Sequence, residues 1–266
     1  MSYPDRPEAS TAPVLCWREG AVVHIRFNRP QRLNAIDLET AQAFHAACRL
    51  VADDGLARVV VLGGEGRAFL AGGDVAAMRA DPPKAADLIP EVHAALQTLV
   101  ALPLPVIAQL HGAVAGAGLG VMMACDLAIA AQGTRFSIGF TTLGASADSG
   151  TTFGLPRMVG LRRAMQIAML AEPFDADTAL AMGLVNAVVP ADEIEARTQA
   201  WALRLAAAAP MAMARLKALL RSSLDHNYTD QLHAEALAFA DCAATQDFAE
   251  GVNAFLDKRP AQFKGL

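Results

Sequence analysis

The sequence is poor in cysteine, in aromatic residues and in charge. Of its 266 residues, four are cysteines, 6% are aromatic and 18% are charged. The cysteines lie far apart and form no Cys-x-x-Cys pair, standing at Cys16, Cys48, Cys125 and Cys242. This spacing fits neither a disulfide framework nor a zinc site, so we expect reduced, mostly buried thiols. The histidines show no ligand spacing either, and the sequence predicts no metal site.

Long uninterrupted apolar runs are also missing, although 54% of the residues are hydrophobic. Pro103 and Pro105 break the apolar stretch that begins near Ala94, whereas a membrane span needs about 18 or more apolar residues. Lys and Arg are scattered and the net charge is −5. We therefore expect no membrane helix and no nucleic-acid surface. Residues 1–13 lack secretory and transit patterns, which predicts a flexible tail and a cytoplasmic protein.

Strand and helix patterns alternate through the first two thirds of the chain. Strands are predicted over residues 14–19, 21–27, 58–62, 105–110 and 127–131, and helices over residues 38–51 and 88–102. Alternation of apolar and polar residues within 21–27 indicates a half-buried strand. Residues 132–146 are predicted to be irregular. Residues 148–150 are predicted to open a helix that reaches Met158, and Pro156 within it predicts a break near that end. From residue 162 onward the pattern is almost entirely helical. This order predicts an α/β core over residues 14–190 and a helical region over residues 191–266.

A run of small residues joins two of these strands at residues 113–126. Gly and Ala at the turn allow a ligand to approach the backbone, and the helix that follows presents free N–H groups. We interpret these N–H groups as half of an oxyanion hole; the alternative is a buried corner that needs small residues only for packing. The same order of strand, small residues and helix occurs at residues 66–78, where Asp74 is placed to cap the helix.

Four segments together resemble the enoyl-CoA hydratase/isomerase family, also called the crotonase superfamily. Asn-Arg-Pro at 28–30 with Asn-Ala at 34–35 is similar to the first CoA-binding loop of the family. The stretch 67–74, with its Phe-x-x-Gly-x-Asp pattern, and the stretch 111–126 are similar to the two oxyanion segments. Lys-Arg-Pro at 258–260 with Phe263 is similar to the C-terminal tail. The resemblance extends from about residue 14 to the end of the chain.

This resemblance implies a spiral of ββα units with a C-terminal helical region that mediates a homotrimer or a dimer of trimers. It implies an acyl-CoA thioester as the partner, with coenzyme A as part of the substrate and no separate cofactor. It places the oxyanion donors at Gly73 and Ala117. It also implies that the CoA channel and acyl pocket are lined by Arg32, Leu33, Ala35, Asp74, Val75, Phe140, Phe263 and Lys264, the last two offered by a neighbouring subunit. The alternatives are a solvated loop arginine at 32 and a mobile chain end at 264.

The chain departs from the family's hydratases at the two glutamates that move protons in those enzymes. Those positions, three residues after Ala117 and twenty residues further, hold Gly120 and Phe140. We expect Gly120 to leave an open space. Asp148 remains, in a segment that resembles the single-aspartate branch of the family, the 1,2-epoxyphenylacetyl-CoA isomerases and Δ3,Δ2-enoyl-CoA isomerases. One carboxylate suffices for a 1,3-proton transfer. The alternative is that Asp148 or Ser149 merely caps the following helix.

Three other functions stay open beside the isomerase. The chain could retain weak hydration, or be an acyl-CoA-binding protein that has lost catalysis. It could also resemble the family's aroyl-CoA dehalogenases, in which the aspartate acts as a nucleophile aided by an upstream histidine. His93 is compatible in position, although those enzymes carry tryptophan where this chain has Phe140. As an alternative, His93 is an ordinary residue of its helix.

Overall fold

The fold is described from a computed structural model that covers residue 3, residues 10–81 and residues 86–266. The expected N-terminal tail falls largely on residues 1–2 and 4–9, which lie outside these described residues. Among the helices of the described ranges, none is both long enough and apolar enough to span a membrane.

Strands and helices alternate up to the last third of the chain, as the sequence predicts. In chain order they are β1 (Val14–Glu19), β2 (Val22–Phe27), α1 (Leu38–Ala52), β3 (Val59–Gly64), α2 (Val75–Ala80), α3 (Leu88–Ala101), β4 (Val106–Leu110), β5 (Ala113–Ala115), α4 (Ala117–Ala124), β6 (Leu127–Ala131), β7 (Arg135–Ser137), α5 (Thr151–Val159), α6 (Leu161–Leu170), β8 (Phe174–Asp175), α7 (Ala176–Ala181), β9 (Ala187–Val189), α8 (Ile194–Ala206), α9 (Pro210–Ser222), α10 (Tyr228–Ala243) and α11 (Gln246–Leu256).

Two sheets organise these elements. The six-stranded sheet has the order β1-β2-β3-β4-β6-β9, and its pairs are parallel except for the antiparallel pair of β1 with β2. The smaller sheet has the order β5-β7-β8. Its strand β7 lies in the segment predicted to be irregular, so that prediction is wrong there. Strands of two or three residues are too short to display an alternation, and their pairing is set by distant contacts.

The six-stranded sheet is buried on both faces. One face places Val23, Ile25 and Phe27 in the main core with α1, and the other packs Val22 and its neighbours against α8. All six residues of β2 are therefore buried, and the expectation of a half-buried strand is wrong. The polar residues that alternate along β2 suggested a side facing solvent, but they lie on the face of the sheet that packs against α8. The carboxyl ends of β2, β3 and β4 lead into three loops at one edge of the sheet, where open α/β sheets bind ligands.

Helix α5 continues through Pro156 to Val159 and ends at Gly160. The helix thus ends one residue beyond the predicted Met158, but the break lies at Gly160 and not at the proline itself. Proline removes one donor and crowds the preceding turn, but this short helix has only one complete turn before it. Gly160 instead marks the end of α5 and the start of α6.

Large apolar side chains remain exposed on the C-terminal helices. They include Leu216, Leu220, Leu232, Leu237, Phe239 and Phe255. Where such side chains form a contiguous patch, the patch marks an interaction site. The expected trimer stays a prediction.

Candidate active site

The first loop of the candidate site is fixed by a buried asparagine. Leu33 and Asn34 both adopt left-handed backbone, with φ of 52° and 60°. The Asn34 Oδ1 accepts the backbone N–H of Arg29 at 2.8 Å, and its Nδ2 donates to the carbonyl oxygens of Glu65 at 2.9 Å and Ala68 at 2.7 Å. Asn34 is completely buried. It therefore joins the loop after β2 to the segment after β3.

Arg29 makes a second connection between the same two loops. Its guanidinium lies 2.9 Å from a carboxylate oxygen of Asp37 and 3.1 Å from one of Asp74, and it donates to the Ala35 carbonyl. Asp74 also caps α2 by accepting the N–H groups of Ala76 and Ala77. Burial opposes ionisation of Asp74, but the N–H of Ala77 and the Arg29 guanidinium together hold its pKa below the ordinary value. Asp74 and Arg29 thus set the shape of the site.

We expect Arg29→Gln to destabilise the protein by about 1–3 kcal/mol, because the buried carboxylate of Asp74 and the half-buried carboxylate of Asp37 lose their charged donor. The Asp74 pKa is lowered in the fold, so its contribution is present above the ordinary pKa and is lost as pH falls. The difference in unfolding free energy between variant and wild type should therefore be largest at neutral pH and shrink below about pH 4. Urea unfolding at both pH values measures it. Arg32→Gln, exposed in the same loop, is the control; an equal loss there contradicts the assignment.

The two glycine-rich turns meet backbone to backbone. Leu70 donates to the Ala113 carbonyl at 3.1 Å and accepts the Ala115 N–H at 2.9 Å. A Cβ placed on Gly72 would stand 3.2 Å from the Ala115 oxygen and 3.6 Å from the Gly116 Cα. Side chains at these positions would push the turns apart. The structure therefore brings together the two segments that the sequence singled out.

The amides of Gly73 and Ala117 are available for a ligand. Ile36 bonds to the Gly72 oxygen and to the Asp74 N–H, so the peptide N–H of Gly73 points away from that pairing. Ala117 is the first residue of α4, where N–H groups have no partner within the helix. No hydrogen bond from either N–H to an acceptor is found within residues 10–81 and 86–266. Two unused donors on adjacent turns suit a carbonyl oxygen.

Apolar side chains border these amides. A Cβ on Gly116 would stand 4.0 Å from the Phe140 ring, and a Cβ on Gly73 would collide with the Met78 methyl group. Val75, at the start of α2, is 51% exposed. Arg32 is exposed, while Leu33 and Ala35 are half-buried on the first loop. Met78 and Phe140 thus give the surroundings of the two amides apolar parts, while the charged Arg32 and Asp74 stand on the adjoining loops.

Gly120 does not leave the open space that its small size suggests. A Cβ on Gly120 would collide with the carbonyl oxygen of Ser149 and stand 2.6 Å from the Ser149 Cβ. The backbone of residue 149 therefore occupies the position that a side chain at 120 would fill. The expectation of free space is wrong because the filling residue lies 29 positions later in the chain, outside any local pattern.

Asp148 is held beside this contact. It is half-buried, and its Oδ1 accepts the hydroxyl of Ser149 at 2.7 Å. The residue that caps α5 is Gly150, and no side chain bonds to the start of that helix. The helix-cap alternative is therefore wrong for Asp148 and for Ser149. The hydrogen bond between the Ser149 hydroxyl and Asp148 was not predicted, and no pattern in the sequence indicates it.

His93 reaches the same segment from α3. Its Nε2 lies 3.3 Å from the backbone N of Ser149. Accepting this N–H requires an unprotonated Nε2, with the ring proton on Nδ1. His93 is therefore more than an exposed helix residue, because its ring contacts the peptide that follows Asp148.

The C-terminal tail lies apart from the oxyanion segments of its own chain. Lys264 donates its N–H to Asp247 at 2.7 Å, and its carbonyl accepts from Arg58 at 2.9 Å. Arg58 precedes β3, whereas the candidate site follows that strand, about 20 Å away for six residues of strand. Phe263 packs on Gly251 in α11. The structure does not bring Phe263 and Lys264 to the site of the same chain.

Comparison with known proteins gives one consistent family. The model of the enoyl-CoA hydratase/isomerase family matches residues 18–266. A probable enoyl-CoA hydratase of Rhodobacter capsulatus is 38% identical over 93% of this chain and 95% of its own length. The 1,2-epoxyphenylacetyl-CoA isomerase of Escherichia coli is 33% identical over 95% and 98%. Similar relatives thus carry both hydratase and isomerase names.

Solved structures show the same similarity. A putative enoyl-CoA hydratase/isomerase from Mycobacterium abscessus superposes with a TM-score of 0.91 at 34% identity, covering 95% of this chain and all of its own. An enoyl-CoA hydratase from Bacillus anthracis superposes with a TM-score of 0.92 at 28% identity, covering 96% of this chain and all of its own. The shared fold therefore extends over nearly the whole chain.

Proposed function

Because the chain belongs to the enoyl-CoA hydratase/isomerase family and has its crotonase fold, we propose that it is an acyl-CoA isomerase. It moves a double bond of an enoyl-CoA or ring acyl-CoA thioester by 1,3-proton transfer. The observation that carries this proposal is the contact between Ser149 and Gly120. In this proposal Ser149 fills the position of one hydratase glutamate, and the Asp148 carboxylate, which accepts the Ser149 hydroxyl at 2.7 Å, is the group that moves the proton.

The thioester carbonyl accepts the N–H groups of Gly73 and Ala117 in this proposal. Removal of a proton from the carbon beside the thioester moves its electron pair toward the carbonyl oxygen, which becomes an enolate. Two fixed donors in an apolar site stabilise that charge without the reorganisation that water requires. Loss of one such donor typically costs about 10²–10³ in rate.

Asp148 supplies the proton transfer. Its carboxylate takes the proton from the carbon beside the thioester, and the double bond shifts toward that carbon. The same group then returns the proton two carbons further along the acyl chain, so the carboxylate is regenerated. Hydration would need a second group to activate water, and Phe140 stands where the family's hydratases have their other glutamate.

A single absorbance experiment tests the proposal against hydration. Moving a 3,4 double bond into conjugation with the thioester increases absorbance at the enoyl thioester band, whereas hydrating crotonyl-CoA decreases it. We expect the increase with straight-chain or ring 3-enoyl-CoA substrates. A decrease with crotonyl-CoA and no increase with any 3-enoyl thioester contradicts the isomerase and supports the hydratase names among the relatives. Absence of both changes favours a binding protein without catalysis.

The proximity of His93 to the Asp148 segment favours a second candidate. In a dehalogenase-like reaction, Asp148 attacks a halogenated ring carbon, halide leaves, and water activated by His93 hydrolyses the aryl ester. Release of halide from a halogenated aroyl-CoA, with one oxygen of labelled water entering the protein, would support it. The same assay without halide release excludes this candidate while leaving the isomerase intact.

Binding of coenzyme A across a subunit boundary completes the proposal. In this proposal Arg32, Leu33, Ala35 and Val75 line the CoA channel beside the two amides, and the exposed Arg32 meets a phosphate. Since the tail lies away from the site of its own chain, Phe263 and Lys264 would contact the nucleotide from a second copy in a homotrimer or dimer of trimers. Light scattering coupled to size exclusion tests the oligomer, and a monomer with full acyl-CoA affinity contradicts it.

We expect Gly120→Ala to destabilise the protein by about 1–3 kcal/mol, the typical cost of overpacking, because its Cβ would collide with Ser149. Displacement of Ser149 moves Asp148, so isomerisation should also fall. Gly120→Glu should not gain hydration, since the carboxylate has no space. Thermal unfolding and the absorbance assay measure both effects. Gly55→Ala, where the added carbon meets nothing within 4 Å, is the control. Hydration gained by Gly120→Glu contradicts the filled-space assignment.

A further inference from the structure

We propose that Ser149 is a positioning residue, which orients the Asp148 carboxylate for proton transfer and is itself held by His93. This inference rests on the proposed isomerase function and extends it to residues outside the reacting groups. The observation behind it is that three elements converge on one serine. They are the Asp148 side chain, the His93 ring on α3 and Gly120 on α4.

The backbone of Ser149 is in an unfavourable conformation for serine. Its φ is +53°, in the left-handed region that glycine adopts far more readily. Residues in such regions persist only where the surroundings determine them, and they cluster at functional sites. Ser149 is 2% exposed, so its contacts are made within the protein. Glycine would satisfy the backbone better, and the retained side chain therefore needs a reason.

The hydroxyl supplies that reason. It donates to Oδ1 of Asp148 at 2.7 Å, which fixes the rotation of a carboxylate that would otherwise turn freely. The other oxygen, Oδ2, has no hydrogen-bond partner among the described residues and is left for the substrate proton. Holding a catalytic group in one orientation contributes strongly to rate, and a misplacement of about 1 Å costs about 10²-fold.

His93 completes the arrangement from the other side. Its Nε2 accepts the N–H of Ser149, and that bond opposes rotation of the peptide out of the left-handed conformation. The Ser149 carbonyl lies directly against Gly120, and this contact limits movement of the peptide on that side. The peptide of Ser149 is therefore held by His93 and Gly120, and its hydroxyl is held by Asp148.

Two variants of Ser149 separate positioning from folding. Ser149→Ala and Ser149→Gly both remove the hydroxyl, but only the glycine relieves the backbone strain. We expect both to lower kcat for isomerisation by about 10- to 100-fold with KM within about 2-fold. Thermal unfolding of Ser149→Gly should match or exceed wild type. If Ser149 is merely structural, Ser149→Gly keeps the wild-type kcat, and that result overturns the proposal.

Variants of His93 test the second half of the proposal. Glutamine can accept the Ser149 N–H with its side-chain oxygen but cannot transfer protons as imidazole does. We expect His93→Ala to lower kcat and His93→Gln to recover most of that loss, with the pH profile of the wild type. Equal losses in both variants would show that the ring itself reacts, and would overturn the positioning role.

Exchange of the α-protons of a bound thioester with deuterated water tests the positioning role of Ser149 separately from the proposed isomerase function. Wild-type exchange that Asp148→Asn abolishes and both Ser149 variants slow supports positioning. Wild-type exchange that the Ser149 variants leave unchanged refutes positioning alone. No isomerisation of any 3-enoyl-CoA by the wild-type protein, followed at the enoyl thioester band, refutes the proposed function, and positioning with it.

Discussion

Replacing Asp148 by asparagine is expected to lower isomerisation by about 10²–10⁴-fold, the usual contribution of a positioned general acid–base group. Asparagine is nearly the same size and can still accept the Ser149 hydroxyl, so the segment around residue 148 should keep its shape. Only the capacity to take and return a proton is removed. The affinity for acyl-CoA, measured by calorimetry with a saturated thioester, should change little.

The matched control for this variant is Asp177→Asn, which changes an exposed carboxylate on α7. It should keep the full rate. Turnover retained in Asp148→Asn would remove Asp148 from the mechanism. A loss of affinity as large as the loss of rate would instead indicate that the carboxylate binds the substrate. The ratio of kcat to KM losses therefore decides between the two roles.

The fold was largely predictable because most of its elements are long enough to carry a period. The apolar face of α1 and its cap at Asp37, which accepts the Thr40 N–H, are both visible locally. The strands β5, β7 and β8 are not, since their two or three residues pair with partners distant in sequence. Pro156 misled the prediction because a local rule was applied to a short helix whose end is set by Gly160.

The candidate site was predictable in its backbone but not in its packing. Small residues at 72–73 and 116–117 indicate close approach, and the structure places the two turns in contact. Glycine at 120 carries no such information, because the same residue fits an open cavity or a tight contact. Arg29 stands in the Asn-Arg-Pro motif, yet its ion pairs with Asp37 and Asp74 depend on how two loops fold together.

The ion-pair cluster of Asp126, Lys217 and Arg221, which joins α9 to the core, was also not predicted from the sequence. Asp126, between α4 and β6, lies 2.8 Å from Lys217 and 2.7 Å from Arg221 on α9, and it accepts the N–H of Val106 at 2.9 Å. Lys217 also donates to the carbonyl of Leu104 at 2.9 Å. Burial lowers the pKa of Lys217, although Asp126 acts in the opposite direction. One carboxylate therefore connects α9 to β4 and to the helix that begins at Ala117.

Asp126→Ala is expected to cost about 3–5 kcal/mol of unfolding free energy, because it leaves a largely buried lysine without its counter-charge. Urea unfolding measures this loss. The double variant Asp126→Ala/Lys217→Met should recover part of it, since the unpaired charge is then gone and only the connection is missing. Arg215→Ala, which breaks the exposed ion pair of Arg215 with Asp241, should cost under about 1 kcal/mol.

A similarly small cost for Asp126→Ala would show that the ion-pair cluster of Asp126 contributes no more than an exposed surface pair. A large cost without recovery in the double variant would assign the stabilisation to the Val106 and Arg221 bonds rather than to Lys217.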